Sequence, residues 1–132
     1  MDADTQNPLD GLVIESFSET EIESRGETNF KEMLADDNLT IQRVSIPAGE
    51  VEDAHYHDAD TYIYHLQGEV EVTFSDVGGR KETKRLGQGD QLKIPKYVIH
   101  QPTAVSDEPV QTLAVRVGDD VETTYVSNDP AL

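Results

Sequence analysis

The stretch that decides the fold is Gly49-Glu50-Val51-Glu52-Asp53-Ala54-His55-Tyr56-His57, closed by Gly68 and answered downstream by Gly89, Pro95 and His100. It holds three of the four histidines in the chain. His55 and His57 are two residues apart, so on a strand both imidazoles leave the same face. Such a pair can share one ion if a third ligand arrives from elsewhere. His100, after Pro95 and a short apolar segment, is the candidate. Neutral imidazole suits zinc, iron, nickel, copper or manganese at ~2 Å, with a carboxylate as the usual complement. A lone histidine is more often a surface or core residue with ordinary hydrogen bonds. Two histidine segments, each framed by glycine, argue for a metal.

Outward from this stretch the chain reads as short strands separated by turn residues. The expected strands are 39–46, 52–57, 61–67, 69–75, 82–86, 91–94, 98–104, 110–117 and 121–126. Breaks fall at Pro47-Ala48-Gly49, Gly68, Gly78-Gly79, Gly87-Gln88-Gly89, Pro95-Lys96 and Asp107-Glu108-Pro109. This punctuation predicts an all-β antiparallel sandwich or barrel. The barrel spans 39–126, after an acidic N-terminal extension at 1–38 and before a tail at 127–132. Within the extension, Leu12-Val13-Ile14 reads as a short strand. Asn29 and Glu32 resemble a capping box, and Phe30, Met33 and Leu34 share a helical face, which predicts a turn or two of helix.

With 132 residues the chain fits a single domain. Its 27 acidic residues against 10 basic ones give a net charge of −17, a self-repulsion that works against compaction. The acids are spread among apolar residues, with no block of five or six like charges, so they do not form an acidic tail. In molar salt the Debye length falls to ~3 Å and screens such a surface. The composition therefore predicts a halophilic protein. There is no cysteine, hence no disulfide and no thiolate ligand or nucleophile. Met1-Asp2-Ala3-Asp4-Thr5 lacks the basic start of a secretion signal, and no apolar run approaches the ~20 residues that span a bilayer. These features predict a cytoplasmic protein with no membrane partner. A basic footprint is missing, so nucleic acid is not an expected partner. No phosphate-binding glycine loop, hydrolase elbow or calcium-loop spacing is present.

The segment Gly49-x5-His55-x-His57-x3-Thr61-x6-Gly68 resembles the first motif of the cupins, and Gly89-x5-Pro95-x-Tyr97-x2-His100 resembles the second. The likeness covers roughly residues 39–117. It implies a cupin-type jelly-roll β-barrel with a metal near one open end, often dimeric. It implies little about the reaction, because one fold hosts many chemistries. The departures are informative. Cupins usually carry a glutamate ligand where this chain has Thr61, which leaves a three-histidine site of His55, His57 and His100. Asp60 takes the fourth-ligand position if the loop after His57 shifts by one residue. Tyr97 stands at a glycine position, which predicts a reshaped turn. Ala104 replaces the closing asparagine.

His65 shares strand parity with Thr61 and Ile63, so it is expected to point into the barrel. Four residues of strand cover ~13 Å, too far for Thr61 and His65 to hold one ion. Tyr62, Tyr64 and Leu66 face the other way and need cover, from the N-terminal segment or from a second subunit in a homodimer. Tyr97 and Gln101 flank His100 as candidates for the cavity mouth. Arg43 and Arg116 lie in otherwise apolar strands, where each could anchor a substrate carboxylate or form surface or dimer salt bridges.

A divalent ion on three neutral imidazoles keeps its full charge and favours an anionic, chelating small-molecule substrate. With iron this fits a non-haem dioxygenase; with zinc, nickel or manganese it fits isomerisation or hydrolysis. The leading expectation is a metal-dependent oxidoreductase of dioxygenase type acting on a small anionic metabolite. A non-catalytic ligand-binding or sensing module, an isomerase and a purely structural barrel stay open.

Overall fold

The computed structural model describes residues 8–14, 23–25, 28–35, 38–76, 78–118 and 122–126. Among the described residues, eleven strands follow a short 3-10 turn at Pro8–Gly11. They are β1 (Glu23–Arg25), β2 (Thr28–Ala35), β3 (Leu39–Ile46), β4 (His55–His57), β5 (Thr61–Gln67), β6 (Val70–Ser75), β7 (Lys81–Leu86), β8 (Gln91–Ile94), β9 (Ile99–Ala104), β10 (Val110–Val117) and β11 (Thr123–Tyr125). One sheet has the order β1-β2-β3-β10-β5-β8 and the other β11-β4-β9-β6-β7. Every pairing is antiparallel, and the two sheets face each other as a jelly-roll barrel, the architecture that the strand spacing predicts.

Alternation along the strands decides what the barrel contains. On β10, Val110, Ala114 and Arg116 are buried, and with Thr112 they line the interior. Ile46, Val70, Val72, Ala104 and Val110 form an apolar cluster, with Phe74 and Leu86 packed against it. Outside this cluster buried histidines share the interior with Ile94, Ile99 and Ala114. The parity expected for β5 holds: Thr61 and His65 are buried, whereas Tyr62 and Tyr64 are each 43% exposed. At one edge, β7 is exposed along most of its length and carries Lys81, Glu82, Lys84 and Arg85. Charges at an edge discourage pairing with another chain.

Three local expectations fail. Residues 28–35 are a strand, not a helix, paired with β3 from Asn29↔Ser45 to Ala35↔Thr40 with an irregularity between Glu32 and Leu34. A helix of one or two turns has too few internal hydrogen bonds to stand alone. The edge of β3 offers this segment a full ladder, so the non-local pairing wins. Leu12-Val13-Ile14 forms no strand and is well exposed. The strand expected at 52–57 is shortened to His55–His57; upstream, Val51 forms an isolated bridge to Thr103 and Glu52 N–H donates to the Pro102 carbonyl. Residue 121 and the tail at 127–132 lie outside the described residues.

Candidate metal centre

β4 and β9 pair with His55 directly opposite His100, and the two-residue period of β4 places His57 on the same inner face. All three side chains are buried. Ring centroids are 5.0 Å apart for His55 and His57, 4.2 Å for His55 and His100, and 5.3 Å for His57 and His100. One ring nitrogen from each lies within 4.8 Å of the others. Nitrogens sharing an ion through ~2.1 Å bonds lie ~3–4 Å apart, so small ring rotations close the set.

The hydrogen bonds fix which nitrogen faces inward. His55 Nδ1 lies 2.7 Å from the Asp53 carbonyl, and His100 Nδ1 lies 3.1 Å from the Val98 carbonyl. A carbonyl only accepts, so both Nδ1 atoms carry a proton, which leaves Nε2 as the nitrogen through which each ring would bind an ion. On His57, Arg116 Nη2 is 3.1 Å from Nε2 and Thr123 Oγ1 is 2.9 Å from Nδ1. A guanidinium only donates, so Nε2 is again the acceptor and Nδ1–H donates to Thr123. The Nε2 atoms of His55 and His100 face inward as ligand atoms, and that of His57 joins them once the Arg116 guanidinium turns off it, a donor set that fits a divalent transition ion.

Burial pushes the His100 pKa down to about 3, helped by His55 and the Arg116 guanidinium and opposed by the Val98 carbonyl. The unfolded chain binds this proton below its ordinary value of 6.5, whereas the folded chain refuses it until about 3. Stability is therefore complete above pH 6.5 and falls as the pH drops towards 3. By pH 5 the loss from this group is roughly 2 kcal/mol. Urea unfolding of metal-free protein at pH 7 and pH 5 should show it, and His100→Gln should remove that part of the difference. An identical pH difference in the variant would refute the assignment.

Beside the histidines lies a cavity of about 70 Å³ whose polar wall includes Gln42, Glu52, His55, His65, His100 and Arg116. Apolar side chains such as Val44, Ile63 and Ile94 complete it. Arg116 is buried on β10, where its Nη1 donates to Gln42 Oε1 at 2.6 Å while Nη2 meets His57. Arg43 is different. It sits on the opposite face of β3 from Gln42 and Val44, hydrogen-bonds Gln111 Oε1 at 2.9 Å, and lies outside the cavity wall. Of the two arginines, only Arg116 can meet a bound substrate.

The fourth-ligand candidates do not join the histidines. Asp60 turns outward: its Oδ1 accepts from the Lys96 backbone N–H at 2.9 Å and its Oδ2 lies 3.8 Å from Lys93 Nζ. That turn-fixing bond holds its carboxylate away from the cavity. Thr61 is buried opposite Arg116 in the sheet, and among the described residues its Oγ1 has no hydrogen-bond partner. His65 does line the cavity; burial lowers its pKa against the pull of Asp90, so it is a neutral wall residue rather than a member of the trio.

Tyr97 and Gln101 do not line the cavity. Gln101 alternates outward on β9. Tyr97 is 55% exposed and its ring lies 6.1 Å from that of Tyr56. The turn at Tyr97 is not reshaped, since Tyr97 itself adopts φ +68°. Its N–H donates to the His57 carbonyl at 2.8 Å, and Val98 N–H closes the turn onto Pro95. Those bonds offset the ~1–2 kcal/mol that a left-handed conformation costs a side-chain-bearing residue.

Two site residues had no sequence signal of their own. Glu52 is buried with Oε1 3.5 Å from His55 Nε2, but it precedes β4 and shares no period with the histidines. Thr123 reaches His57 only because β11 pairs with β4.

Residues 42–116 match the family described as Cupin domain. Among curated proteins, the chain is 27% identical over 97 residues to oxalate decarboxylase OxdC of Bacillus subtilis (strain 168), covering 70% of this chain and 25% of that protein. It is 29% identical over 77 residues to the probable germin-like protein subfamily 2 member 5 of Arabidopsis thaliana, covering 58% of this chain and 36% of that one. The chain thus spans only a quarter to about a third of the length of these curated relatives. Among solved structures, KdgF from Halomonas sp. superimposes with a TM-score of 0.67 at 20% identity, over 80% of this chain and 94% of that one. Identity that low establishes a shared fold alone.

Proposed function

The chain belongs to the cupin domain family, and on that premise we propose that it is a metal-dependent oxidoreductase of the non-haem dioxygenase kind acting on a small anionic metabolite. The observation that carries the anionic substrate is the buried Arg116 guanidinium in the wall of the same cavity as His55 and His100. A planar guanidinium pairs with a carboxylate through two parallel hydrogen bonds, and low dielectric strengthens that pairing. Gln42 orients it through Nη1. The cavity, about 70 Å³, restricts the ligand to a few non-hydrogen atoms.

His55, His57 and His100 would hold a divalent ion, with iron, manganese, zinc and nickel as candidates. A redox-active ion there supplies Lewis acidity and one-electron chemistry towards dioxygen. The chain's own residues do the rest. Asp53 and Val98 carbonyls and Thr123 Oγ1 hold the imidazole protons at Nδ1, Arg116 binds the substrate anion, and Val44, Ile63 and Ile94 exclude water.

A second reading, non-oxidative breakdown of a small carboxylate, draws support from the cavity size and from the curated relative whose name is oxalate decarboxylase. Metal analysis followed by parallel oxygen-uptake and carbon dioxide assays with oxalate, β-dicarbonyls and thiols separates the two. Oxygen consumption supports the dioxygenase. Carbon dioxide release without oxygen consumption supports the second reading, and saturable anion binding with neither leaves a binding module. Arg116→Gln should weaken anion binding at least tenfold with metal content unchanged; unaltered anion affinity would remove Arg116 from the substrate site.

The partly exposed Tyr62 and Tyr64 on one outer face support a homodimer, and the charge of −17 supports a salt-rich cytoplasm as its setting. Melting and sedimentation in rising KCl test both. The melting temperature should climb with salt and the sedimenting species should be a dimer; greatest stability at low salt, or a monomer at every concentration, would refute the corresponding part.

A further inference from the structure

We infer that His65 determines which anion the cavity accepts: its ring takes a hydrogen bond from a hydroxyl on the ligand, so the substrate is a short hydroxy acid. This rests on the reading of Arg116 as the partner of the substrate anion and adds the group recognised at the other end.

His65 is 2% exposed and lines the same cavity as Arg116, His55 and His100. The backbone pins it in place. Its N–H donates to the Asp90 carbonyl at 2.9 Å, and Gly89 N–H donates to the His65 carbonyl at 2.9 Å. The ring hydrogen-bonds the Gly68 backbone in the sense that favours a protonated imidazole, so it donates there to the carbonyl. Among the described residues Nε2 has no hydrogen-bond partner. The donated proton is therefore on Nδ1, and Nε2 is left as an acceptor. Burial keeps the ring neutral against the charge of Asp90, which preserves that lone pair. A buried acceptor without a donor weakens a fold, whereas an aliphatic residue beside Ile63 and Leu92 in this wall would carry no such cost. A ligand hydroxyl satisfies it. Oxalate, with acceptors alone at neutral pH, would leave Nε2 unpaired.

Sheet register sets the length of the ligand. Thr112 is the cross-strand partner of His65, and Arg116 is that of Thr61, so the two side chains start four residues apart along β10. Arg116 closes part of that gap. Its Nη1 reaches Gln42, which pairs with Ala114, the residue between Thr112 and Arg116 on the inner face. The guanidinium is thereby drawn towards the level of Ala114, two residues or ~7 Å from the level of His65. Ala114, small and buried, keeps the wall low between them. Two hydrogen bonds and a chain of roughly two or three carbons fill such a span. A ligand of that size suits the cavity of about 70 Å³.

The test is calorimetric titration of the full-length protein with anion pairs in which a hydroxyl replaces a methyl: glycolate and propionate, lactate and isobutyrate, 3-hydroxypropionate and butyrate. The wild type should bind the hydroxy acid of at least one pair at least tenfold more tightly. His65→Leu, which removes the acceptor, should bind both members of that pair alike. His65→Gln, whose amide oxygen can stand where Nε2 stood, should keep most of the preference. Melting of each variant checks that the barrel is intact. A second readout needs no variant: on binding the hydroxy acid, the His65 Nε2 signal of zinc-loaded wild type should move upfield in nitrogen NMR spectra. Equal affinities in the wild type, or a signal that does not move, would overturn the inference and leave Arg116 as the anion site. A preference that survives in His65→Leu would also overturn it, since the ion would then be what reads the hydroxyl. Failure of every acid to bind would overturn the anion site itself, and the hydroxy-acid class with it.

Discussion

His100→Ala is expected to lower the affinity for a divalent transition ion at least a hundredfold, and the purified variant should carry no stoichiometric metal. His100 stands directly across the sheet from His55, and one of its ring nitrogens belongs to the cluster of three that could hold an ion. No other described residue can replace it: Gln101 alternates outward, and His65 lies apart from the trio. The barrel should survive, because the apolar cluster of Ile46, Val70, Val72, Ala104 and Val110 does not include this imidazole. Removing a buried ring leaves a cavity at a cost of about 2–4 kcal/mol. Elemental analysis and calorimetric titration read the metal; circular dichroism reads the fold. Gln101→Ala, one residue away and exposed, is the control and should bind like the wild type. Retention of wild-type stoichiometry by His100→Ala would sink the three-histidine centre.

What the sequence made legible was whatever depends on local period. His55 and His57 share a face because they are two apart, and β5 buries Thr61 and His65 for the same reason. The glycine frame located the turns around them. What stayed hidden depends on pairing between distant strands. Arg43 and Arg116 looked alike because both faces of β3 and β10 carry apolar residues; only the sheet register shows that one turns away from the cavity and the other into it. Asp60 drew attention because the motif was counted forward along the chain, whereas the buried carboxylate, Glu52, comes from the loop before the histidines. The capping signal at Asn29 was real as a local preference, but β3 outcompeted it.

Gly68→Ala is the substitution expected to cost the barrel most per atom added. Gly68 sits between β5 and β6 at φ +79°, in the left-handed region that a side chain disfavours by ~1–2 kcal/mol. Space is the second difficulty. A Cβ there would stand 2.8 Å from the Pro109 carbonyl oxygen and 3.1 Å from Val110 Cα, both backbone atoms. Neither yields easily: Gln67 Nε2 already donates to the Pro109 carbonyl, and Val110 begins β10 and is 1% exposed within the apolar cluster. Forcing them apart adds about 1–3 kcal/mol. The total, about 2–5 kcal/mol, should lower the melting temperature by roughly 10 °C for a domain of this size. Gly49→Ala separates the two causes. Gly49 has φ +80°, and a Cβ there meets nothing within 4 Å, so this variant carries the backbone cost alone and should lose only about 4 °C. Paired calorimetric melts in one buffer decide the matter. Equal losses would mean that the close approach of Gly68 to Pro109 and Val110 does not constrain the native barrel, and that positive φ alone requires glycine there.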